Sequence, residues 1–135
     1  MERQRALTLL RWIAVLPAAI GGAFIVKLAG SLLGRAVRQG LGSESHSAFA
    51  LQLLFYVATS AAFVLAGAAI APRHRPVIAI VLAVLWILLS LMTHIVSQPH
   101  PGTTNYLHLA AETSGAVFAV VCVAYREKNP RAMPR

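Results

Sequence analysis

Glu112 is the residue whose type and position most directly suggest chemistry, because it interrupts an apolar segment between residues 105 and 125. His108 lies four residues earlier, a spacing that places both side chains on one face of a helix. A charged group near the centre of a bilayer costs about 2.5–3.5 kcal/mol on insertion scales unless it is paired or neutralised. We therefore expect the Glu112 carboxylate to contact His108 or Lys27, which stands near the end of another apolar segment.

Other polar side chains recur at helical spacing within the apolar segments. Gln52, Tyr56 and Thr59 follow the spacing i, i+4 and i+7. Ser90 and His94 are again four residues apart. Each group forms a stripe along one helix face, and such stripes are expected to face one another and not lipid. The resulting hypothesis is an outward-facing pocket for a small molecule, a lipid head group or a proton. Its expected lining is Glu112, His108, His94, Lys27, Tyr56 and Gln52.

A metal site is a weaker interpretation of some of the same residues. His94, His108 and Glu112 are of types that bind zinc, and the spacing of His108 and Glu112 lets two ligands converge. Two ligands on one helix are weak evidence, so the sequence predicts no metal and no cofactor. Cys122 is the single cysteine, which excludes an intramolecular disulfide, a Cys-x-x-Cys site and a four-helix thiol oxidase. The chain also lacks a Gly-rich phosphate loop, Gly-x-Ser-x-Gly and His-Glu-x-x-His, so no enzyme of these classes is expected.

The composition identifies the environment in which these residues must work. The chain has 135 residues, of which 58% are hydrophobic and 12% are charged. A soluble domain has about 25% charged residues, and the mean hydropathy here is +0.69. This composition excludes a disordered chain, a secreted disulfide scaffold and a nucleic-acid-binding module. It predicts an integral membrane protein.

Four segments reach the length of about 20 apolar residues that a membrane-spanning helix needs. The sequence therefore predicts an all-α integral membrane protein, an antiparallel bundle of four transmembrane helices forming one domain over residues 1–135. The segments are about 9–28, 48–71, 77–97 and 105–125, with a short interfacial helix near 30–39 and a basic cytoplasmic tail over 126–135. The start of the first segment also resembles a signal peptide, but the length of its apolar run favours a retained anchor.

The basic residues predict the orientation. With four spans, both termini and the second connection lie on one side, and nine of the twelve basic residues belong to that side: Arg3, Arg5, Arg11, Arg73, Arg75, Arg126, Lys128, Arg131 and Arg135. The opposite side has Lys27, Arg35 and Arg38. The positive-inside rule then places both termini in the cytoplasm and the protein in the inner, or plasma, membrane. The net charge of +8 is thus explained by an anionic inner leaflet as partner, and not by nucleic acid.

Small residues at a spacing of four indicate close helix packing. Gly30 and Gly34 form one such pair, and Ala111, Gly115 and Ala119 form a longer row. These rows predict a homo-oligomer or a larger membrane-protein partner. The first function predicted is a non-enzymatic accessory or assembly subunit that acts through helix packing. The alternative is the outward-facing binding site centred on Glu112, with a role in transport or sensing.

Overall fold

The structure is a computed structural model that describes residues 2–41, 46–72, 74–97 and 103–129. Within these residues the chain forms four α-helices and no strand. They are α1 (Glu2–Leu41), α2 (His46–Ile70), α3 (Arg75–Ser97) and α4 (Thr103–Lys128). Each helix is long and apolar enough to cross a membrane. The predicted all-α bundle of four transmembrane helices is therefore confirmed.

The first helix differs from its prediction. We expected one span over 9–28 and a separate interfacial helix near 30–39, whereas α1 is a single helix of 40 residues, about 60 Å long. The prediction of a separate interfacial helix is therefore wrong. Gly30 lies inside the helix, and its missing side chain leaves room for the Phe55 ring. A Cβ atom at Gly30 would lie 2.6 Å from that ring.

The bounds of the other helices agree with the predicted ones to within three residues. Between α2 and α3, His74 has a φ of 53°, the left-handed conformation of a tight turn. Pro76 lies in the first turn of α3, where the missing N–H of proline is tolerated. Helix α4 continues to Lys128, into the predicted basic tail over 126–135, and residues 130–135 lie outside the described part of the chain. The predicted turn over 98–102, which includes His100, also lies outside it.

Helix α2 occupies the centre of the bundle. It packs against α1, α3 and α4, and α3 also packs against α4. Among the described residues, α1 approaches only α2 closely. Gly22 faces Ala66 and Gly30 faces Phe55, so α1 and α2 run antiparallel. The side of α1 away from α2 therefore has no neighbouring helix in the described chain.

The two ends of the bundle differ in what they bury. We call the end where α1 begins and α4 ends the terminus end, and the end where α1 and α3 end and α2 and α4 begin the loop end. The apolar core lies towards the terminus end and comprises Val15, Ala19, Ala23, Phe63, Val64, Ala68, Ala71, Ala79, Leu82, Ala83, Ala116 and Ala119. The buried polar residues lie nearer the middle and are Thr59, Ser60, Ser90 and Glu112. The loop-end half is thus the one in which polar groups are buried.

The small-residue row of α4 packs within the chain. A side chain at Gly115 would overlap the Val57 carbonyl oxygen and the Ser60 hydroxyl of α2. Ala119, one turn further along, is fully buried, and Ala111 is half-buried. On α1, by contrast, a Cβ atom added at Gly34 would have no neighbouring atom within 4 Å. The α4 row therefore serves the α2–α4 contact, whereas Gly34 borders open space.

Candidate functional site

A pocket of about 340 Å³ lies in the loop-end half, between α1 and α2. Trp86 from α3 and Glu112 from α4 also line it, so all four helices contribute. At the terminus end the helices close together, because Gly67 of α2 faces Leu82 of α3 and Ala19 of α1. The α1 backbone does not closely approach α3 or α4 in the described chain, and in the loop-end half the remaining space forms the pocket.

The α1 wall carries a row of polar residues. Lys27, Ser31 and Arg35 have the spacing i, i+4 and i+8, so they lie on one face of the helix, and all three line the pocket. Each is exposed, and the Ser31 hydroxyl donates a hydrogen bond to the Leu28 carbonyl oxygen at 2.8 Å. Gly30 and Gly34 on the same wall keep it free of bulky side chains. Lys27 and Arg35 therefore face the pocket from a wall that also contains two glycines and a serine.

The α2 wall combines polar and aromatic groups. Gln52, Tyr56 and Thr59 all line the pocket, together with the Phe55 ring. The Thr59 hydroxyl donates to the Phe55 carbonyl oxygen at 2.7 Å. The Tyr56 ring stacks on His108, with ring centroids 4.6 Å apart and an interplanar angle of 28°. The stack fixes the tyrosine ring against α4, and it places His108 behind Tyr56 and outside the pocket lining.

Glu112 contributes a buried carboxyl group to the pocket. Its residue is 8% exposed, and the Ser90 hydroxyl donates a hydrogen bond to its Oε2 atom. His94, one turn along α3, donates from Nδ1 to the Ser90 carbonyl oxygen at 2.8 Å. The carboxyl group is thus held from α3, while it faces a pocket whose cations are on α1.

Trp86 closes the pocket below Glu112. Its ring packs on Phe63 of the apolar core, with centroids 4.9 Å apart. Its indole Nε1 atom is buried and has no hydrogen-bond partner among the described residues. A buried indole N–H normally finds an acceptor, because leaving it unpaired costs free energy. The Trp86 donor is therefore unused within the described part of the chain.

Lys27 and Glu112 lie at similar depths on opposite walls. Gly30 faces Phe55, so Lys27, almost one turn further from the loop end, lies near the level of Thr59. Gly115 faces Val57 and Ser60, so Glu112 lies near the level of Tyr56. The two levels differ by about one helical turn, or roughly 5 Å. Although both side chains line the pocket and both are described, no ion pair joins them.

The pocket includes four of the six residues expected in it, namely Lys27, Gln52, Tyr56 and Glu112. His108 contacts Tyr56 from behind, and His94 is bonded to the α3 backbone. We expected Glu112 to contact Lys27 or His108. The hydrogen bond that the carboxyl group accepts comes from Ser90 instead. Ser90 makes that bond because α3 is packed against α4, whereas α1 does not approach α4.

The three candidate metal ligands do not form a cluster. His94, His108 and Glu112 belong to no group of three or more His, Cys, Asp or Glu side chains that could hold an ion, within the part of the chain that the structure describes. His46 is exposed at the start of α2. The charged-type side chains that line the pocket are therefore the Glu112 carboxyl group and the Lys27 and Arg35 cations.

Sequence reasoning missed Trp86, Ser31 and Arg35 as pocket residues. Trp86 precedes Ser90 by four residues, so the α3 stripe could have been extended one turn deeper. Ser31 and Arg35 continue the face of Lys27, but they fell in the segment assigned to an interfacial helix. In both cases the helical spacing that identified the other polar residues extends one turn further along the helix.

No family model, no curated protein and no solved structure matches this chain.

Proposed function

We propose that this protein binds a small amphiphilic molecule within the membrane, in the loop-end pocket, as a sensing or transport-linked component. The observation that carries the proposal is the pocket of about 340 Å³ on which Lys27, Glu112, Tyr56 and Trp86 converge. Small-molecule sites are typically concave, mostly apolar and about 300–1,000 Å³ in volume, with a few convergent polar groups. This pocket has each of these properties.

Lys27 and Glu112 do not neutralise each other within the described chain. A membrane-embedded ammonium group and a carboxyl group that serve only packing are expected to neutralise each other in a direct pair. Here the acid is held by Ser90, the base lies on another wall, and the Trp86 donor is unpartnered among the described residues. A bound ligand would satisfy groups that the described chain leaves available.

Fluorescence of Trp86 tests this proposal directly. The chain has two tryptophans, and Trp12 lies on α1 near the terminus end, so a Trp12→Phe variant reports from the pocket alone. The probes are four 4-bromophenyl compounds, because bromine quenches indole fluorescence on contact: 4-bromophenylalanine, 4-bromophenethylamine, 3-(4-bromophenyl)propionate and 2-(4-bromophenyl)ethanol. The protein is studied in phosphatidylcholine vesicles, and saturable quenching by at least one probe is expected.

Two glycines of α1 supply a matched pair of variants. Neither Gly34 nor Gly21 has an atom within 4 Å of an added Cβ, but only Gly34 lines the pocket. Gly34→Leu should therefore fill the pocket and abolish saturable quenching, while Gly21→Leu should leave it intact. Quenching that rises linearly with every probe, or that is equal in the two variants, would contradict the proposed pocket.

We further propose that the loop end faces outwards from the plasma (inner) membrane and that both termini are cytoplasmic. The unequal distribution of basic residues, nine against three, supports this orientation. In a Cys122→Ala background, a cysteine replacing the exposed Thr104 should react with an impermeant maleimide on intact cells. A cysteine replacing the exposed Asn129 should react only after permeabilisation, and the reverse pattern would refute the orientation.

A second candidate function is that of an accessory subunit that packs against another copy or a larger membrane protein. The specific observation in its favour is α1, which approaches only α2 among the described residues and has an open position at Gly21. A cysteine at Gly21, in the Cys122→Ala background, should cross-link in native membranes. A cysteine at the exposed Val117 of α4 is the control, and equal cross-linking at both would indicate random collision.

A further inference from the structure

The pocket presents an acid and a base to the same space without joining them. Lys27 reaches it from α1 and Glu112 from α4, with the α2 wall of Gln52, Tyr56 and Thr59 between them. The acid is 8% exposed, and its hydrogen bond within the described chain comes from the neutral Ser90 hydroxyl. In a site of low dielectric constant, each charge is stabilised by a nearby opposite charge. The space between the two walls is therefore suited to a ligand that carries both.

We propose that the pocket binds a zwitterionic small molecule of the amino-acid type, with its carboxylate on Lys27 and its ammonium group on Glu112. This inference rests on the proposed function and names the ligand class. A ligand with an anionic group alone would leave Glu112 without a countercharge. A ligand with a cationic group alone would leave the Lys27 ammonium group unpaired and would meet the second cation, Arg35, on the same wall.

The remaining lining fits the other parts of such a ligand. The Trp86 indole lines the base of the pocket, and its Nε1–H has no acceptor among the described residues. The Phe55 and Tyr56 rings provide an apolar surface for a side chain. A volume of about 340 Å³ accommodates a molecule of the size of an aromatic amino acid. Arg35, two turns closer to the loop end than Lys27, lines the route by which a carboxylate would enter.

The experiment compares three of the bromophenyl probes, which share one apolar body and differ in charge. In the Trp12→Phe protein, 4-bromophenylalanine carries both charges, 4-bromophenethylamine only the positive one, and 3-(4-bromophenyl)propionate only the negative one. The zwitterion should quench Trp86 with an affinity about tenfold or more above either of the others, since each of those lacks one charge-assisted contact.

Two variants test which wall binds which group. Glu112→Gln should weaken the zwitterion about tenfold while leaving the propionate unaffected, because only the ammonium contact is removed. Lys27→Gln should weaken the zwitterion and the propionate while leaving the amine unaffected. Lys27 is exposed, so this variant keeps the proposal testable even if the buried Glu112→Gln does not fold. Lys128→Gln, at the terminus end, is the control and should change none of the three affinities.

Each outcome distinguishes the ligand class from the pocket itself. The inference is supported if the protein prefers the zwitterion, if Glu112→Gln spares the propionate and if Lys27→Gln spares the amine. Saturable binding that favours the amine or the propionate overturns it but leaves the proposed pocket standing. Equal weakening of all three probes by both variants also overturns it, since that pattern indicates a structural role. The absence of saturable quenching by any probe refutes the proposed function and the inference together.

Discussion

Replacing Gly115 by alanine tests the contact between α4 and α2, on which the position of Glu112 depends. Gly115 is three residues from Glu112, and an added Cβ would overlap both the Val57 carbonyl oxygen and the Ser60 hydroxyl. The carbonyl oxygen belongs to a helix backbone and cannot rotate away. The two helices would therefore have to separate, which moves the carboxyl group relative to the α2 wall.

The magnitude follows from a comparison with Gly34→Ala. Overpacking a tight contact by one methyl group costs about 1–3 kcal/mol. At Gly34 nothing lies within 4 Å of the new Cβ, so alanine should instead stabilise the helix by about 0.5–1 kcal/mol. Both variants gain the same helix propensity, so they should differ in free energy of unfolding by the overpacking cost alone, about 1–3 kcal/mol.

Reversible unfolding of the purified protein in mixed micelles of mild detergent and dodecyl sulfate measures this difference by circular dichroism. Gly115→Ala should unfold at a lower dodecyl sulfate fraction than the unsubstituted chain, and Gly34→Ala at an equal or higher one. If Gly115→Ala is as stable as Gly34→Ala, then α4 does not approach α2 at this point. In that case the α2–α4 geometry, and with it the depth assigned to Glu112, is refuted.

Further predictions concern the buried polar residues, the apolar core and the Tyr56–His108 stack, and the same unfolding assay measures each. Ser90→Ala should cost about 1–3 kcal/mol, because it leaves a buried carboxyl group without its donor, and an unchanged stability would contradict that hydrogen bond. Phe63→Ala should cost about 3–5 kcal/mol, since the ring is 2% exposed in the core. Phe118→Ala is its control and should cost far less, because that ring is 61% exposed. Tyr56→Leu should lose about 0.5–1.5 kcal/mol of stacking on His108, whereas Tyr56→Phe should retain it.

The transmembrane helices were predictable because apolar length is a local property of the sequence. The continuation of α1 past residue 28 was not predictable, since it depends on which side chains of α2 pack against it. Gly30 is a weak helix former in isolation, but it is accommodated because Phe55 of α2 fills the space beside it. A glycine at a close helix contact and a glycine at a break have the same local sequence signal.

The pocket was partly predictable for a related reason. Polar residues in apolar helices avoid lipid, so Gln52, Tyr56 and Glu112 could be assigned to the interior from their spacing alone. Their partners could not, because these depend on which helices meet. Glu112 is bonded by Ser90 because α3 packs against α4, and it is not paired with Lys27 because, among the described residues, the α1 backbone closely approaches only α2. Helix adjacency is not encoded in the period of a single helix.

The continuity of α1 has a consequence for the bilayer around the protein. The helix has 40 residues and is about 60 Å long, whereas α3, Arg75–Ser97, has 23 residues and is about 35 Å long. Even at a tilt of about 40°, the upper end of the usual range, a helix needs only about 39 Å to cross a hydrocarbon layer of about 30 Å. About 20 Å of α1 must therefore lie outside the hydrocarbon, in the head-group region and beyond it. The protein thus extends further out of the bilayer along α1 than along α3.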